Sequence, residues 1–528
     1  MPIARARGLP VLSRLLRALA LAIAVATVLT VTARTRADVD LWGHLRFGLD
    51  LVQTGSLETL DRYSFTSDRP WVNHEWLSEI AIALAWKTAG TPGLIFLKLA
   101  CIFGALALMA SAVGEQGVTG RPRILLLGLT FVGILPRVAQ VRPQIFSVVL
   151  FATLVRLIVR SDRGSSRPLL WTIPALTMWA NLHGGWLVGL GTVGLACAGK
   201  AWDGRRTRPA IRAVGPLLIA ALAAAATLIN PYGIGLWAFM IETVRFGREG
   251  IGEWGPIWLE PSSMIVWPMF AALVLAALWA SVCRPTGQRL RDDHGLEDHS
   301  RRQNAVRLAI PVLLGAAALR VNRLDTFFAL SAIGFLAGPL ASLLSRRRVP
   351  SRALPPSWTL GAAAAALVLV LSVPVSRSAF TCIGIHPTWP ESRVVEMMRE
   401  RHLLGRVVTF FDWGEYAIWN MPAGLKVSMD GRRETVYSER TVHNHLQLYL
   451  GTDSGLSYLH DLKADYVWLP SKLPVVDVLV RRGWHASFDG PRSVLLSNLS
   501  PAEGALTASD SRTPATATGS TKRCFPGP

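Results

Sequence analysis

The residues best suited to chemistry gather in one segment. Directly after an apolar stretch the chain reads Ala37-Asp38-Val39-Asp40-Leu41-Trp42-Gly43-His44, and further on Pro70-Trp71-Val72-Asn73-His74-Glu75-Trp76-Leu77-Ser78-Glu79. Carboxylates beside imidazoles are the usual tools for moving protons in a reaction. Asp40 is the first candidate for a catalytic acid or base, Asp38 the second, and Glu75 a third. His44 and His74 stand beside them as candidate substrate contacts. An aspartate drawn into lipid costs several kcal/mol, so both aspartates must be solvated, paired or metal-bound. On the plainer alternative they are solvated loop acids and the neighbouring tryptophans anchor the chain at a membrane interface. His74 and Glu75 are adjacent, which rules out the His-Glu-x-x-His spacing of a helical zinc site. A metal shared by Asp40, His44 and Glu75 has no spacing to support it, and a divalent cation such as magnesium or manganese stays open.

A second set of residues is cationic. Arg137, Arg142, Arg320 and Arg323 lie in short turns between apolar stretches. A guanidinium matches a phosphate with two parallel donors, so these four are candidate clamps for a lipid phosphate. Contact with anionic head groups, or pairing such as Arg323 with Asp325, is the competing explanation. His183, in Trp179-Ala180-Asn181-Leu182-His183-Gly184-Gly185, is a candidate substrate contact or part of a tight helix hairpin. Glu253-Trp254-Gly255-Pro256-Ile257-Trp258 either lines a sugar site or belongs to an interfacial aromatic belt.

The elements that must position these residues follow from composition. Hydrophobic residues make up 51% of the 528, and charged residues only 17%. A soluble domain needs more charge than that to keep its surface wetted. Stretches such as Pro216–Ile229, Met264–Val282 and Gly361–Val373 are long and nearly uncharged, as expected where the backbone must satisfy itself as helix in hydrocarbon. The chain reads as a mainly α, polytopic helical membrane protein. Met1–Arg17 is basic and Ala18–Val31 apolar, which also describes a secretory signal, but no small-x-small cleavage site follows. We read it as an uncleaved first span. Further candidates cover 93–113, 124–138, 143–160, 168–182, 184–200, 212–230, 262–283, 305–320, 324–344 and 357–375.

Placing the Arg-rich connections in the cytoplasm gives about eleven spans, with the N-terminus inside and the C-terminal part outside the cytoplasmic membrane. The stretch 75–89 then lies along the outer surface or re-enters. Residues 43–52 alternate with helical period and suggest a short helix on the membrane surface. The outside loops, above all 33–92, hold most of the unusual polar residues. The net charge of +20 is thus topological. With no basic stripe carrying interleaved aromatics, nucleic acid is not an expected partner.

The order Asp-x-Asp-Leu-Trp-x-His-Leu, Asp-Arg-Tyr-Ser-Phe-Thr, Pro-Trp-Val-Asn-His-Glu-Trp-Leu-Ser, together with Asn181-Leu182-His183-Gly184-Gly185 and Asn230-Pro231-Tyr232-Gly233, resembles the C-superfamily (GT-C) integral membrane glycosyltransferases, and most of all their uncharacterised bacterial members. The resemblance covers most of the membrane region. It implies an acidic residue of the first outer loop as catalytic base or metal ligand, matched best by Asp40 and next by Asp38. It also implies a polyprenyl-phosphate-linked sugar as donor. The tight Asp-Glu pair found in some members is absent here.

Beyond residue 376 the composition changes. Strands at 407–411, 425–429, 464–469 and 493–497 and helices at 393–402 and 475–482 predict a small extracytoplasmic α/β domain over 377–500. Asp412-Trp413-Gly414-Glu415-Tyr416 and Asp430-Gly431-Arg432-Arg433-Glu434 each follow a strand, where turns and ligand sites both concentrate. Acceptor binding, partner contact and plain turn structure are all compatible with them. Residues 501–528, rich in Ser, Thr, Ala and Pro, predict a disordered tail. Cys101, Cys197 and Cys283 read as small core residues, and only Cys382 and Cys524 fall where an oxidising compartment is expected. The domains are then 1–376, the membrane part with its outer loop 33–92, followed by 377–500 and 501–528. The expected partners are the bilayer, the lipid-linked sugar and an extracytoplasmic acceptor. A transporter or flippase would need mid-membrane charge and repeat symmetry, and a scaffold would tolerate replacement of the loop's polar residues.

Overall fold

The computed structural model describes residues 29–207, 211–245, 252–282, 294–346, 379–498 and 523–527. The chain divides into two compact units. The first takes Met1–Thr35, Ile95–Ile234 and Arg248–Thr381; the second takes Arg36–Leu94, Gly235–Gly247 and Cys382–Pro528. The expected spans within 18–31 and 357–375 fall, almost wholly in the first case, outside the described residues.

The first unit is helical. Among the described residues four helices are long and apolar enough to cross a membrane: Trp76–Glu115, of which the part up to Leu94 belongs to the second unit, Gln144–Ser161, Pro261–Trp279 and Asn322–Leu344. Five other expected spans lie on the helices Gly120–Val138, Thr172–Leu182, Trp186–Thr207, Ile211–Ala226 and His294–Arg320. Asp325–Arg346 is the central element, packed against Gly120–Val138, Gln144–Ser161, Pro261–Val282 and His294–Arg320. Small residues permit that closeness. A β-carbon on Gly133 would stand 2.5 Å from Ala329 Cβ. The helical run Trp76–Glu115 is broken at Ala89 and Gly90, the latter at φ 58° and ψ −138°, a backbone shape glycine adopts without a Cβ penalty. The stretch up to Ala89 is therefore a helical segment distinct from the one that follows. Cys101 and Cys197 are buried free thiols.

The second unit joins the first outer loop to the C-terminal domain. Two-residue strands β1 (Thr35–Arg36) and β2 (Ile383–Gly384) precede a five-stranded sheet of β3 (Gly405–Thr409), β4 (Leu425–Val427), β5 (Tyr466–Pro470), β6 (His485–Asp489) and β7 (Ser493–Ser497). The sheet order is β4-β3-β5-β7-β6. β3 pairs parallel with β4 and β5, while β7 runs antiparallel to β5 and β6. Its core joins Val408, Val467, Leu469 and Leu496 to Leu448, Leu456, Val475 and Leu479 of the flanking helices.

The loop completes the sheet. Ser64 bridges Val427 in parallel, with Phe65 N donating to Val427 O at 3.0 Å and Val427 N to Tyr63 O at 3.1 Å. The β4 edge is thereby covered, as edge strands require. The sequence missed β6 and the helices Glu439–Tyr449 and Asp453–Leu462. These are short amphipathic segments whose apolar residues are too few to stand out beside the membrane stretches.

Three expectations are corrected here. The helix Leu41–Thr54 buries Leu41, Trp42, Leu45 and Phe47 inside the second unit rather than resting them on a membrane surface. Trp42 and Trp71 are core residues, not interfacial anchors; Trp42 packs on Trp389 and Phe525 with ring centroids 4.6 and 5.2 Å away. Finally, the end of the tail is folded. Cys524 is disulfide-bonded to Cys382, Phe525 is buried, and Phe525 N donates to Ile383 O at 2.8 Å.

Candidate active site

Asp40 opens the helix Leu41–Thr54 in the second unit. Its backbone N–H donates to Asp38 Oδ1 at 3.1 Å, and its carbonyl accepts from His44 N at 2.9 Å. Asp38 is buried and Asp40 half-buried. One turn along, His44 is held between two carboxylates. Its Nδ1 lies 3.4 Å from Glu79 Oε1 and its Nε2 3.9 Å from Glu75 Oε2. Burial alone would lower the His44 pKa, but the hydrogen bond to Glu79 and the charges of Glu75, Glu79 and Asp40 outweigh it and raise it to about 9. His44 is an imidazolium at neutral pH. Glu79 also accepts from Asn73 Nδ2 at 2.6 Å, and His74 Nε2 lies 3.6 Å from Glu75 Oε1.

The C-terminal domain brings two more carboxyls to this cluster. Glu415 is buried, and its Oε2 accepts from Gly43 N at 3.0 Å. A β-carbon on Gly43 would stand 2.1 Å from that oxygen, so only glycine admits the approach. Gly431 plays the same part: a β-carbon there would meet Asp40 Oδ1 at 2.1 Å and Glu415 Oε1 at 3.0 Å. Burial, followed by the charges of Asp40 and Asp430, holds the Glu415 carboxyl well above the usual carboxylate range despite Arg432. Burial and the neighbouring charges thus favour the protonated form of Glu415, which lies beside the half-buried Asp40.

Asp430 and Arg432 fix the geometry. The Arg432 guanidinium donates to Asp61 Oδ1 and Oδ2 at 2.9 and 2.8 Å and to Asp430 Oδ1 and Oδ2 at 2.9 and 2.7 Å. It also lies 4.9, 5.3 and 4.8 Å from the ring centroids of Phe47, Tyr63 and Trp71. Tyr437 Oη donates to Asp430 Oδ2 at 2.8 Å. The Asp-Arg-Tyr and Asp-Gly-Arg motifs are therefore two halves of one clamp.

In the first unit three of the four candidate arginines gather on Glu253. Arg142 Nη1 lies 2.7 Å from Glu253 Oε1, Arg323 Nε 3.6 Å from Oε2, and Arg137 Nη1 4.0 Å from Oε1. Burial would raise the Glu253 pKa, but Arg142, Arg323 and Arg137 hold it at about 2. Arg137 is buried and its Nε meets Asp325 Oδ1 at 3.2 Å, while Nη2 donates to Asn322 Oδ1 at 2.8 Å. The partner of Asp325 is thus Arg137, not Arg323, which stacks on Trp254 at 4.9 Å. Arg320 is exposed and stands outside this group. His183 Nδ1 accepts from Ser147 Oγ at 2.7 Å and from Gly185 N at 3.0 Å, which is a turn-closing role.

The structure brings Asp40, Asp38, His44, His74 and Glu75 into one unit and Arg137, Arg142 and Arg323 into the other. Sequence reasoning quoted Asn73 and Glu79 within the loop motif without giving them a role, while Glu253, Glu415 and Gly431 lay in segments read as candidate ligand sites with no role for the individual residue. Glu79 sits one helical turn after Glu75, a spacing that signals a shared face. Glu415 and Gly431 carry the local signal of turns that follow strands, but only tertiary folding places them beside Asp40. Among the described residues no group of three or more His, Cys, Asp or Glu side chains is arranged to hold a metal ion.

No protein family matches the sequence, and neither does any curated protein. Solved structures do match. The arabinofuranosyltransferase AftD from mycobacteria aligns over 91% of this chain at 15% identity with a TM-score of 0.51; the alignment covers 40% of AftD. ArnT from Cupriavidus metallidurans in the apo state aligns over 91% of this chain and 97% of its own, at 11% identity and a TM-score of 0.50. At these identities the likeness is one of fold. The chain spans about two-fifths of the AftD chain it matches.

Proposed function

Since the chain has the fold of the GT-C membrane glycosyltransferases, we propose that it moves a sugar from a polyprenyl-phosphate donor to an acceptor hydroxyl outside the cytoplasmic membrane. The carrying observation is the carboxylate cluster of the second unit. Within it Asp40 is half-buried, beside a buried Glu415 and an imidazolium at His44. The Asp40 carboxylate takes the acceptor hydroxyl's proton as that oxygen bonds to the anomeric carbon. The bond from that carbon to the phosphate oxygen breaks, and its electron pair leaves on the lipid phosphate. A phosphate is already a good leaving group, so a base worth about two to four orders of magnitude in rate is the main requirement.

Taken by itself, the first unit offers Arg142 and Arg323 as proposed contacts for a lipid phosphate, because both stay partly accessible, with side-chain exposures of 15% and 21%. A guanidinium matches a phosphate with two parallel donors. Arg137, tied to Asp325 and Asn322, positions this group. The disulfide Cys382–Cys524 suits an oxidising compartment and supports an outside location for the second unit. The test is sugar transfer by the purified protein in lipid nanodiscs, with polyprenyl-phosphate pentoses and hexoses offered in parallel. Release of polyprenyl phosphate with a glycosylated product supports the reading, and failure with every donor overturns it.

A further inference from the structure

We propose that Glu415, contributed by the C-terminal domain, is a positioning residue that shares one proton with Asp40, so that the two carboxyls titrate as a pair. This rests on the reading of Asp40 as the base. Three geometric facts carry it. A β-carbon on Gly431 would meet both carboxyls, at 2.1 Å from Asp40 Oδ1 and 3.0 Å from Glu415 Oε1. Glu415 Oε2 is committed as acceptor to Gly43 N at 3.0 Å, which leaves Oε1, the oxygen on the Gly431 side, to carry the proton. The Glu415 side chain is buried, and burying a second bare carboxylate next to the first is far costlier than burying the acid.

The groups acting on Glu415 are Asp40, Asp430 and Glu79, which favour its protonated form, and Arg432, which opposes it. Arg432 is already saturated by Asp430 and Asp61. Two interacting carboxyls lose their protons in two steps that belong to the pair. The working state has one proton: Asp40 ionised, Glu415 neutral. Transfer should rise with pH through the first step and fall through the second, as Glu415 ionises and the ordered approach at Gly431 is lost. The C-terminal domain thereby sets the pH window of a reaction whose base lies in the first loop.

The test uses the full chain and Glu415→Gln. Infrared difference spectra at neutral pH should show a protonated carboxyl band in the wild type that is missing from the variant. The pH profile of kcat/KM should lose its alkaline fall in the variant. A wild type with no such band, or an alkaline limb unchanged in Glu415→Gln, overturns the proposal. Should Glu415→Gln not fold, isotope-edited spectra of the wild type supply the band, and Glu415→Asp, which keeps a carboxyl, should shift the alkaline limb rather than abolish it; an unshifted limb overturns the proposal. The spectroscopic arm needs no turnover. Asp40→Asn that still transfers sugar would defeat the reading of the base while leaving the Glu415 band in place.

Discussion

Arg432 grips Asp61 through two hydrogen bonds of 2.9 and 2.8 Å, although 371 residues separate them along the chain. The bidentate match is the strongest geometry a guanidinium offers a carboxylate, and the Asp61 side chain is fully enclosed. The first outer loop is folded onto the C-terminal domain by this contact and by the Ser64–Val427 bridge.

Arg432→Ala leaves Asp61 and Asp430 buried without their cation. Breaking a buried pair from one side costs about 3–5 kcal/mol, so the melting temperature of the second unit should fall by many degrees. Arg432→Lys should not restore it, because an ammonium lacks the planar fork. Calorimetry of the three proteins decides, and an Arg432→Lys melt equal to wild type would count against the clamp.

The Cys382–Cys524 disulfide closes a separation of 142 residues. A cross-link over so long a loop is worth about 2–5 kcal/mol. Cys382→Ser, or reductant on the wild type, should lower stability by that amount and expose the end of the chain to proteases. Equal proteolysis with and without reductant would show that the tail is held by other means.

The His44 pKa is raised in the folded chain to about 9 from an ordinary 6.5. A raised histidine pKa gives stability that is complete below the unfolded value and is lost as pH climbs through the folded one. Stability of the second unit should therefore decline between about pH 6.5 and 9, and His44→Gln should flatten that decline. A slope identical in the two proteins would mean that the imidazole is neutral in the fold.

Arg142→Ala and Arg323→Ala should raise the KM for a polyprenyl-phosphate sugar by about tenfold or more, consistent with a charge-assisted contact. Arg320→Ala should change it little, since that side chain is exposed and apart from the Glu253 group. Arg137→Ala should destabilise the first unit instead, leaving buried Asp325 without its cation. Equal KM values for all four variants would remove the phosphate assignment.

Much of this was legible in the sequence, for reasons that differ by element. Long uncharged stretches mark the helices because lipid imposes one solution on the backbone. Asp40 stands out because a carboxylate beside a membrane stretch is costly without a reason. Strand Ser493–Ser497 was read to the residue, since its short apolar run Val494-Leu495-Leu496 follows the turn residues Gly490-Pro491. What escaped notice is what only tertiary folding creates. Glu415 looks like any acid in a turn until Gly43 and Gly431 let it reach Asp40. Arg432 reads as one residue of a turn motif until Asp61 arrives from 371 residues away. The helix Leu41–Thr54 has the amphipathic pattern of a membrane-surface helix, and periodicity does not reveal whether its apolar face meets lipid or protein.

The central claim is that Asp40 takes the proton of the acceptor. The most direct measurement is the turnover number of Asp40→Asn with a polyprenyl-phosphate sugar, in protein whose melting curve and disulfide match the wild type. The account predicts a loss of about two to four orders of magnitude with donor affinity retained. Turnover within threefold of wild type would contradict it.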